Sequence, residues 1–370
     1  MAAMLPAVRF LYDAVGLGMW AYSNAAFRVT TLGPKRFDLA PGTLIVVTHR
    51  RESDVPLVCP PLYLRGGMWG RNRARRMHFA AREDMFLPGF FAGFPPGLSP
   101  RLRRVLFPLG VGRWLPVVQV HSLRSATVAR LGELLRTRRD APLSALLTPD
   151  ELAALDARAA ACRIPLPRCA GDVLRGEFAD LLWRAVTPAH PASADVLGFW
   201  ARRAAAAAAD FRALVAIVRR GGVLVVFPEG RPSPDGELGP IQRGLAALVR
   251  RAQPSAFLPV ALAYDPLGEG RTRVSIAVGG AVEPPAEVES GTLALLRRTM
   301  PLTCGQVVAA GVAPGDAVSE ARAEGRPIEP DLLHQTARAR RLDEAVALAP
   351  SRPDDVAFLA REYRSARAQP

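Results

Sequence analysis

The chain has 370 residues, 49% of them hydrophobic, and a formal net charge of +14. This length allows one large hydrophobic core or two domains, and since no run of about 18 or more apolar residues occurs, a transmembrane helix is not expected. The four cysteines are scattered without a Cys-x-x-Cys pair, which indicates reduced thiols and argues against a disulfide framework or a metal site.

The positive charge comes almost entirely from arginine, because only Lys35 among the 48 basic residues is a lysine. This bias indicates a GC-rich bacterial genome, and the charge itself favours anionic partners. The window 60–124 contains 11 arginines and two acidic residues, beside loops rich in Phe, Trp, Leu and Pro. Basic side chains next to apolar loops favour an anionic phospholipid membrane as the partner, with a solvated basic surface as the alternative. No recognition-helix or base-stacking motif accompanies the charge, so nucleic acid is not an expected partner.

In chain order, the first predicted element is an apolar segment, residues 1–27, interrupted by Arg9 and Asp13. It lacks the basic start of a signal peptide, so we expect an interfacial helix that lies on a membrane. Short apolar runs typical of strands follow at Leu44–Thr48, Met77–Ala80, Pro116–Val120, Val223–Phe227, Phe257–Tyr264 and Val274–Val278. Helical stretches are predicted at residues 125–138, 199–221 and 244–252. Strands that alternate with helices predict an α/β layer fold.

Two segments interrupt this alternation. Residues 138–193 are polar, helical and rich in proline, and we interpret them as a helical insertion. Within the insertion, Thr148, Pro149 and Glu151 predict a capped helix start. The end of the chain predicts a helical C-terminal tail whose last helix lies within residues 350–367. The predicted organisation is an interfacial segment at residues 1–27, a main domain at 28–285 that contains the insertion, and a helical extension at 286–370.

The residues that directly follow the first buried strand, which we call the exit of the strand, include the first candidate for catalysis. Leu44–Thr48 runs directly into His49, and Asp54 follows shortly afterwards. A histidine can take the proton of a hydroxyl group that attacks an acyl donor. A nearby carboxylate fixes the imidazole tautomer and stabilises the imidazolium that forms. The alternative is a polar loop that happens to contain a histidine.

A second apolar strand, Val223–Phe227, ends in a similar way. It continues into the sequence Phe227-Pro228-Glu229-Gly230, followed by Arg231. A strand-to-turn junction accounts for the proline and the glycine. It gives no particular reason for the glutamate and the arginine, which makes this exit a second candidate for function.

Taken together, the two exits resemble the motifs of the glycerolipid acyltransferase family, which includes lysophosphatidic acid and glycerol-3-phosphate acyltransferases. His49–Asp54 matches the family's His-x-x-x-x-Asp motif, and Phe227–Gly230 matches its Phe-Pro-Glu-Gly motif. Weaker matches are Phe79–Gly93, Gly239–Ala252 and Phe257–Tyr264. The resemblance extends over the predicted main domain and is interrupted by the insertion.

This resemblance implies a central mixed β-sheet flanked by helices and the activity of an O-acyltransferase. Such an enzyme moves a fatty acyl group from acyl-CoA or acyl carrier protein to a hydroxyl group of a lysophospholipid or glycerol phosphate acceptor. The resemblance implies no cofactor besides the acyl donor. It also implies a peripheral, monotopic place at the cytoplasmic face of the cell membrane.

By the same resemblance, His49 is the general base and Asp54 orients it. The implied acceptor-binding residues are Glu229, Gly230, Arg231 and Arg243. Arg231 would contact a phosphate group through a charge-assisted fork, and Pro259 would shape the acyl-donor side. Attack on the thioester would be direct, with backbone N–H groups stabilising the oxyanion.

The sequence also departs from the family pattern. Thr48 stands where the family has Asn, Arg51 where it has Ser, and Arg231 comes one position early. The middle motif has only Gly112–Val120 as a candidate and lacks the final arginine that normally helps to bind the acceptor phosphate. Two alternatives therefore stay open: a catalytically silent lipid-binding relative, and an acyltransferase for a non-glycerophosphate acceptor.

Overall fold

A computed structural model of the protein describes residues 6–35, 37, 39–51, 53–65, 77–87, 89, 99–108, 110, 112, 114–189, 194–233 and 235–367. Much of the basic, apolar window 60–124 lies outside these residues, including 66–76 and 90–98. The chain divides into two compact units, one formed by Met1–Phe79 and Leu214–Pro370 and the other by Ala80–Ala213. The domain boundaries and the insertion predicted from the sequence stay predictions.

The strands described are β1 Arg28–Leu32, β2 Thr43–Val47, β3 Met77–Arg82, β4 Val120–Leu123, β5 Ala129–Arg130, β6 Ala185–Val186, β7 Val223–Val226, β8 Ala256–Asp265 and β9 Arg273–Val278. Seven of them form one sheet in the order β1-β9-β8-β2-β7-β3-β4, while β5 and β6 form a separate antiparallel pair. β8 and β9 run antiparallel, whereas β2 runs parallel to both β7 and β8. The sheet is therefore mixed, as predicted, and helices flank it.

The central strands β2, β7 and β8 are apolar on both faces, which is typical of parallel strands covered on both sides. Every residue of β2 and β7 is buried, and in β8 only Ala256 is partly exposed. Because these strands are parallel neighbours, their carboxyl ends lie at the same edge of the sheet. Segments that leave this edge come close together, and ligands of open α/β sheets commonly bind there.

Most of the strands predicted from the sequence are confirmed, but the one at Pro116–Val120 is wrong. Leu115–Val118 forms a 3-10 helix instead, and β4 begins only at Val120. Pro116 has no N–H to donate to a strand ladder, and Gln119 has a left-handed backbone with φ of 62°. β1 was not predicted, because its sequence RVTTL is short and largely polar.

The α-helices described are α1 Pro6–Ala26, α2 Asp54–Arg65, α3 Pro100–Leu106, α4 Leu131–Thr137, α5 Pro149–Cys162, α6 Ala170–Val173, α7 Ala179–Leu182, α8 Ala194–Arg219, α9 Arg243–Ala252, α10 Val288–Thr299, α11 Cys304–Ala310, α12 Pro314–Ala323, α13 Pro330–Leu333, α14 Gln335–Leu348 and α15 Pro353–Arg367. Further 3-10 helices cover Glu83–Phe86, Leu143–Ala145, Gly176–Phe178 and Ala349–Ser351. The stretch 125–138, predicted as a helix throughout, is helical only from Leu131, because Ala129–Arg130 forms β5.

The predicted N-terminal helix is present as α1, and it packs against α2. Tyr63 Oη donates to Asp13 Oδ1 at 2.8 Å, and Ser23 Oγ donates to the Pro56 carbonyl at 2.7 Å. Other side chains of α1 are exposed, namely Phe10, Leu17, Trp20 and Tyr22. Within the residues described, no helix is both long enough and apolar enough to cross a bilayer. The place of α1 on a membrane stays a prediction.

The second unit has an apolar core of its own. Leucines of α4 and α5 pack there with Phe178 and Trp200. Arg203 of α8 is almost completely buried beside this core, donates to Glu133 Oε2 at 2.6 Å and forms an ion pair with Glu83. Leucine packing and the buried Arg203 with its two acidic partners therefore both help to hold the unit together.

The C-terminal tail is helical, as predicted, and it belongs to the same compact unit as β2, β7 and β8. A small apolar cluster joins its helices through Leu302, Val307, Ala317, Leu332 and Tyr363. Arg341 of α14 is fully buried and donates to Asp265 Oδ2, at the end of β8, at 2.9 Å. This buried ion pair ties the tail to the central sheet.

Thr148 caps α5, as its sequence predicts. The threonine hydroxyl accepts the Glu151 N–H at 3.2 Å, and Glu151 Oε2 accepts the Thr148 N–H at 2.9 Å. We expect Thr148→Ala to lower the free energy of unfolding by about 1 kcal/mol, because a helix N–H loses its acceptor. Urea denaturation measures the change, and Thr127→Ala, at an exposed threonine, is the control. Equal midpoints for the two variants would contradict the capping role.

Candidate active site

The two predicted motifs directly follow the neighbouring parallel strands β2 and β7, so they lie close together. β2 and β7 pair with Val46 opposite Val226, so the residues that follow them, including His49 and Glu229, leave the sheet side by side. The His49 backbone N–H donates to Glu229 Oε1 at 2.8 Å. The ring of Phe227 lies 4.7 Å from the His49 ring, centroid to centroid. The predicted catalytic exit and the Phe-Pro-Glu-Gly exit thus form a single site.

His49 and Asp54 are directly hydrogen-bonded. His49 Nδ1 lies 2.9 Å from Asp54 Oδ2, and the carboxylate is fully buried. The same oxygen accepts the backbone N–H groups of Arg50 at 2.5 Å and Arg51 at 2.9 Å. Asp54 is the first residue of α2, where the helix dipole favours a negative charge. Because a carboxylate accepts hydrogen bonds, Nδ1 carries the proton, and Nε2 keeps the lone pair that a general base needs.

Tyr264 completes the surroundings of Asp54 from the end of β8. Its Oη donates to Asp54 Oδ1 at 2.6 Å and lies 2.9 Å from Ser53 Oγ. Burial, together with the Asp54 carboxylate, raises the pKa of Tyr264, so its hydroxyl stays protonated and donates. The sequence reasoning missed this residue. One feature of the sequence could have identified Tyr264. It lies at the carboxyl end of an apolar strand, and His49 and Glu229 also follow the carboxyl ends of apolar strands.

Both carboxylate oxygens of Glu229 are occupied by backbone groups. Oε1 accepts the His49 N–H, and Oε2 accepts the Gly239 N–H at 2.7 Å. Burial raises the pKa of Glu229. Gly230 has a left-handed backbone with φ of 74°, and a Cβ there would lie 3.1 Å from Gln242 Cγ, which favours glycine. These contacts show that Glu229 and Gly230 shape the turn, while their predicted contact with the acceptor stays a prediction.

Arg231 and Arg243 are exposed near this turn. Gln242, which precedes α9, is tied to the turn because its N–H donates to the Pro228 carbonyl at 2.8 Å and its Nε2 donates to the Glu229 carbonyl at 3.3 Å. Within the part of the chain that the structure describes, neither arginine has an ion-pair or hydrogen-bond partner in the protein. Both guanidinium groups are therefore available to an anionic ligand.

Pro259 lies inside the sheet and not on the loops that leave it. It is buried in β8 opposite Val46, and its carbonyl accepts the Gly279 N–H at 2.9 Å. Its predicted place on the acyl-donor side stays a prediction. Among the described residues, no group of three or more His, Cys, Asp or Glu side chains is placed to hold a metal ion.

Comparison with known proteins gives one family match and one similar solved structure to report. The acyltransferase family model matches residues 183–263, which include Phe227–Gly230. No curated protein matches the chain. Among solved structures, the chain is similar to the crystal structure of the 1-acyl-sn-glycerophosphate (LPA) acyltransferase PlsC from Thermotoga maritima. The two share 13% identity with a TM-score of 0.39, over 79% of this chain and 77% of that chain.

The matched segment contains Phe227–Gly230, the turn against which the hydrogen-bonded His49–Asp54 pair lies. The resemblance to acyltransferases is therefore borne out by the family model over residues 183–263.

We expect Glu229→Gln to destabilise the protein by about 1–3 kcal/mol, because a carboxamide has one acceptor oxygen for two buried N–H groups. One of the N–H groups of His49 and Gly239 would then face the NH₂ of the glutamine. Urea denaturation at pH 8 measures the loss. Glu237→Gln, at an exposed glutamate nearby, is the matched control. The same stability in both variants would show that the Glu229 carboxylate does not hold the two loops together.

Proposed function

We propose that the protein is a membrane-surface O-acyltransferase that moves a fatty acyl group from acyl-CoA or acyl carrier protein to a hydroxyl group of a lysophospholipid or glycerol phosphate acceptor. The single observation that carries the proposal is the His49–Asp54 pair, with Nδ1 and Oδ2 2.9 Å apart, held against the Phe227–Gly230 turn. In a member of the acyltransferase family, this pair is the natural general base.

The proposed reaction proceeds by direct attack on the thioester. The acceptor hydroxyl gives its proton to His49 Nε2 as its oxygen bonds to the thioester carbonyl carbon. Asp54 stabilises the imidazolium, and backbone N–H groups stabilise the negative charge on the former carbonyl oxygen. When this intermediate collapses, the carbon–sulfur bond breaks, and the leaving thiolate takes the proton from the imidazolium. The products are the acylated acceptor and a free thiol.

The exposed arginines support an anionic acceptor. Arg231 and Arg243 lie beside the turn that holds His49, and neither is engaged by an acidic side chain within the described residues. A guanidinium group binds a phosphate through two parallel N–H bonds. Lysophosphatidate and glycerol-3-phosphate both carry a phosphate group close to a free hydroxyl, so either acceptor fits this arrangement.

The surface of α1 supports action at a membrane. Phe10 is 76% exposed and Trp20 is 47% exposed, and exposed aromatic side chains favour the headgroup level of a bilayer. The net charge of +14 adds attraction to anionic phospholipids. We therefore propose that the protein acts peripherally, at the cytoplasmic face of the cell membrane.

The test is thiol release from palmitoyl-CoA in the presence of lysophosphatidate, glycerol-3-phosphate or a neutral monoacylglycerol. We expect acceptor-dependent release by the wild-type protein, and a loss of about 10²–10⁴-fold in His49→Ala, because the general base is removed. His334→Ala, at an exposed histidine outside the site, is the control and should keep full activity. Wild-type protein that binds liposomes but releases no thiol with any acceptor would favour the catalytically silent lipid binder.

Substitution of the free arginines tests the acceptor. We expect Arg231→Gln and Arg243→Gln each to raise the KM for a phosphate-bearing acceptor about tenfold, because each variant loses a charge-assisted hydrogen bond. The KM for a neutral monoacylglycerol should stay the same. Arg250→Gln, at an exposed arginine in the last turn of α9, is the control. A loss of kcat with every acceptor, at constant KM, would argue against phosphate binding by these arginines.

A further inference from the structure

The last helix of the chain contacts the residues that directly follow His49. Arg50 Nε lies 3.5 Å from Glu362 Oε1, and both side chains are fully buried. The Arg51 guanidinium lies 5.8 Å from the centroid of the Phe358 ring. Phe358 and Glu362 are one helical turn apart, so they lie on the same face of α15. One face of the C-terminal helix thus contacts both Arg50 and Arg51. We call the residues from His49 to Asp54 the catalytic turn.

Arg50 also joins the two loops of the active site. Its backbone N–H donates to Asp54 Oδ2 at 2.5 Å. Its side-chain Nη1 donates to the carbonyls of Glu237 at 2.7 Å and Gly236 at 3.2 Å. The residue is therefore fixed by its backbone to the His49–Asp54 pair and by its side chain to the loop that continues into Gly239.

The same helix holds that second loop directly. Arg361 Nε donates to the Asp235 carbonyl at 2.6 Å, and Ser365 Oγ accepts the Leu238 N–H at 2.9 Å. Gly236 has a φ of 90°, and a Cβ there would lie 2.4 Å from a backbone carbonyl oxygen of α15. The loop therefore rests closely on the helix backbone, and a side chain at this glycine would separate the two.

Glu362 is the charged centre of these contacts. Besides Arg50, its carboxylate faces Gln306 of α11, whose Nε2 donates to Oε2 at 2.8 Å. Arg51 and Asp265 act on it at longer range, and Asp265 is itself bound to Arg341. Burial raises the pKa of Glu362 to about 7, against the opposing effects of Arg50 and Gln306. The Arg50–Glu362 ion pair is therefore present above about pH 7 and is lost as the pH falls through that value.

We propose that α15 is a positioning element of the active site, in which Glu362 fixes Arg50 and thereby the geometry of His49 and Asp54. When Glu362 is ionised, Arg50 keeps its buried counter-charge and its backbone N–H stays directed at Asp54. When Glu362 is neutral, the buried guanidinium of Arg50 loses its ion-pair partner, and the turn that carries His49 loosens. The kinetic test of this inference rests on the proposed acyltransferase function.

Glu362→Gln, which keeps the shape and removes the charge, tests the inference. We expect kcat at pH 8 to fall about tenfold or more, because a small misplacement of a catalytic group is costly, while the KM for the acceptor stays within about twofold. The wild-type kcat should fall as the pH drops through about 7, where Glu362 gains its proton, and this fall should be absent from the variant. Glu362→Asp keeps the charge, so it should retain the fall of kcat on acidification, with an intermediate kcat.

Glu320→Gln is the matched control, because Glu320 forms an ion pair with Arg367 of α15 away from the catalytic turn. Its kcat and acid limb should equal those of the wild type. A second readout does not depend on activity: hydrogen exchange of the Arg50 and Arg51 amides should be faster in Glu362→Gln than in Glu320→Gln. If Glu362→Gln does not fold, Glu362→Asp is compared with Glu320→Gln in its place, and faster exchange is again expected.

The outcomes separate the two proposals. Wild-type protein without acceptor-dependent thiol release overturns the proposed function, and the exchange data still decide whether α15 holds the catalytic turn. An active wild type, with the same kcat, the same acid limb and the same amide exchange in Glu362→Gln, overturns the positioning role of α15. Faster exchange in the variant, together with the loss of the Glu362-dependent fall of kcat on acidification, supports it.

Discussion

The buried carboxylate of Glu229 is the contact on which the rest of the site depends. It accepts the His49 N–H with one oxygen and the Gly239 N–H with the other, so it joins the exits of β2 and β7. The side chain of Arg50 closes the arrangement by donating to the Glu237 carbonyl. Hydrogen-bonded buried polar groups make a structure rigid, and here each loop provides hydrogen-bond partners for the other.

The Asp54 carboxylate has a different task, which is to fix the orientation of one imidazole ring. It receives His49 Nδ1 and two backbone N–H groups on one oxygen and the Tyr264 hydroxyl on the other. Three of these four donors cannot move without displacing the backbone or a buried ring. The imidazole of His49 is therefore oriented by a carboxylate whose own position is fixed by other hydrogen bonds. A general base that acts directly on the acceptor hydroxyl, without a serine nucleophile, needs such a fixed orientation.

The sequence allows prediction of features that depend on neighbouring residues. The continuous apolar runs predict β2, β7 and β8, the Thr148 cap depends on residues one turn away, and the strand exits predict His49 and Asp54. Contacts between distant parts of the chain could not be predicted. Tyr264 reaches Asp54 across 210 residues, and Glu362 reaches Arg50 from the opposite end of the chain. The predicted strand at Pro116–Val120 is wrong, because the hydrophobicity pattern does not show that Pro116 lacks the N–H that a strand ladder requires.

The two departures from the family pattern next to His49 have a common physical explanation in this structure. Thr48 Oγ1 accepts the Leu262 N–H at 3.0 Å, so its hydroxyl holds β8 beside β2. Arg51 stacks on the Tyr264 ring at 4.8 Å, in contact with Phe358 of α15. An arginine at this position is stabilised by two aromatic rings, and one of those rings belongs to the C-terminal tail. The change in the motif and the presence of the tail are therefore parts of one arrangement, since the helix that follows the acyltransferase segment supplies partners for the residues that follow the catalytic histidine.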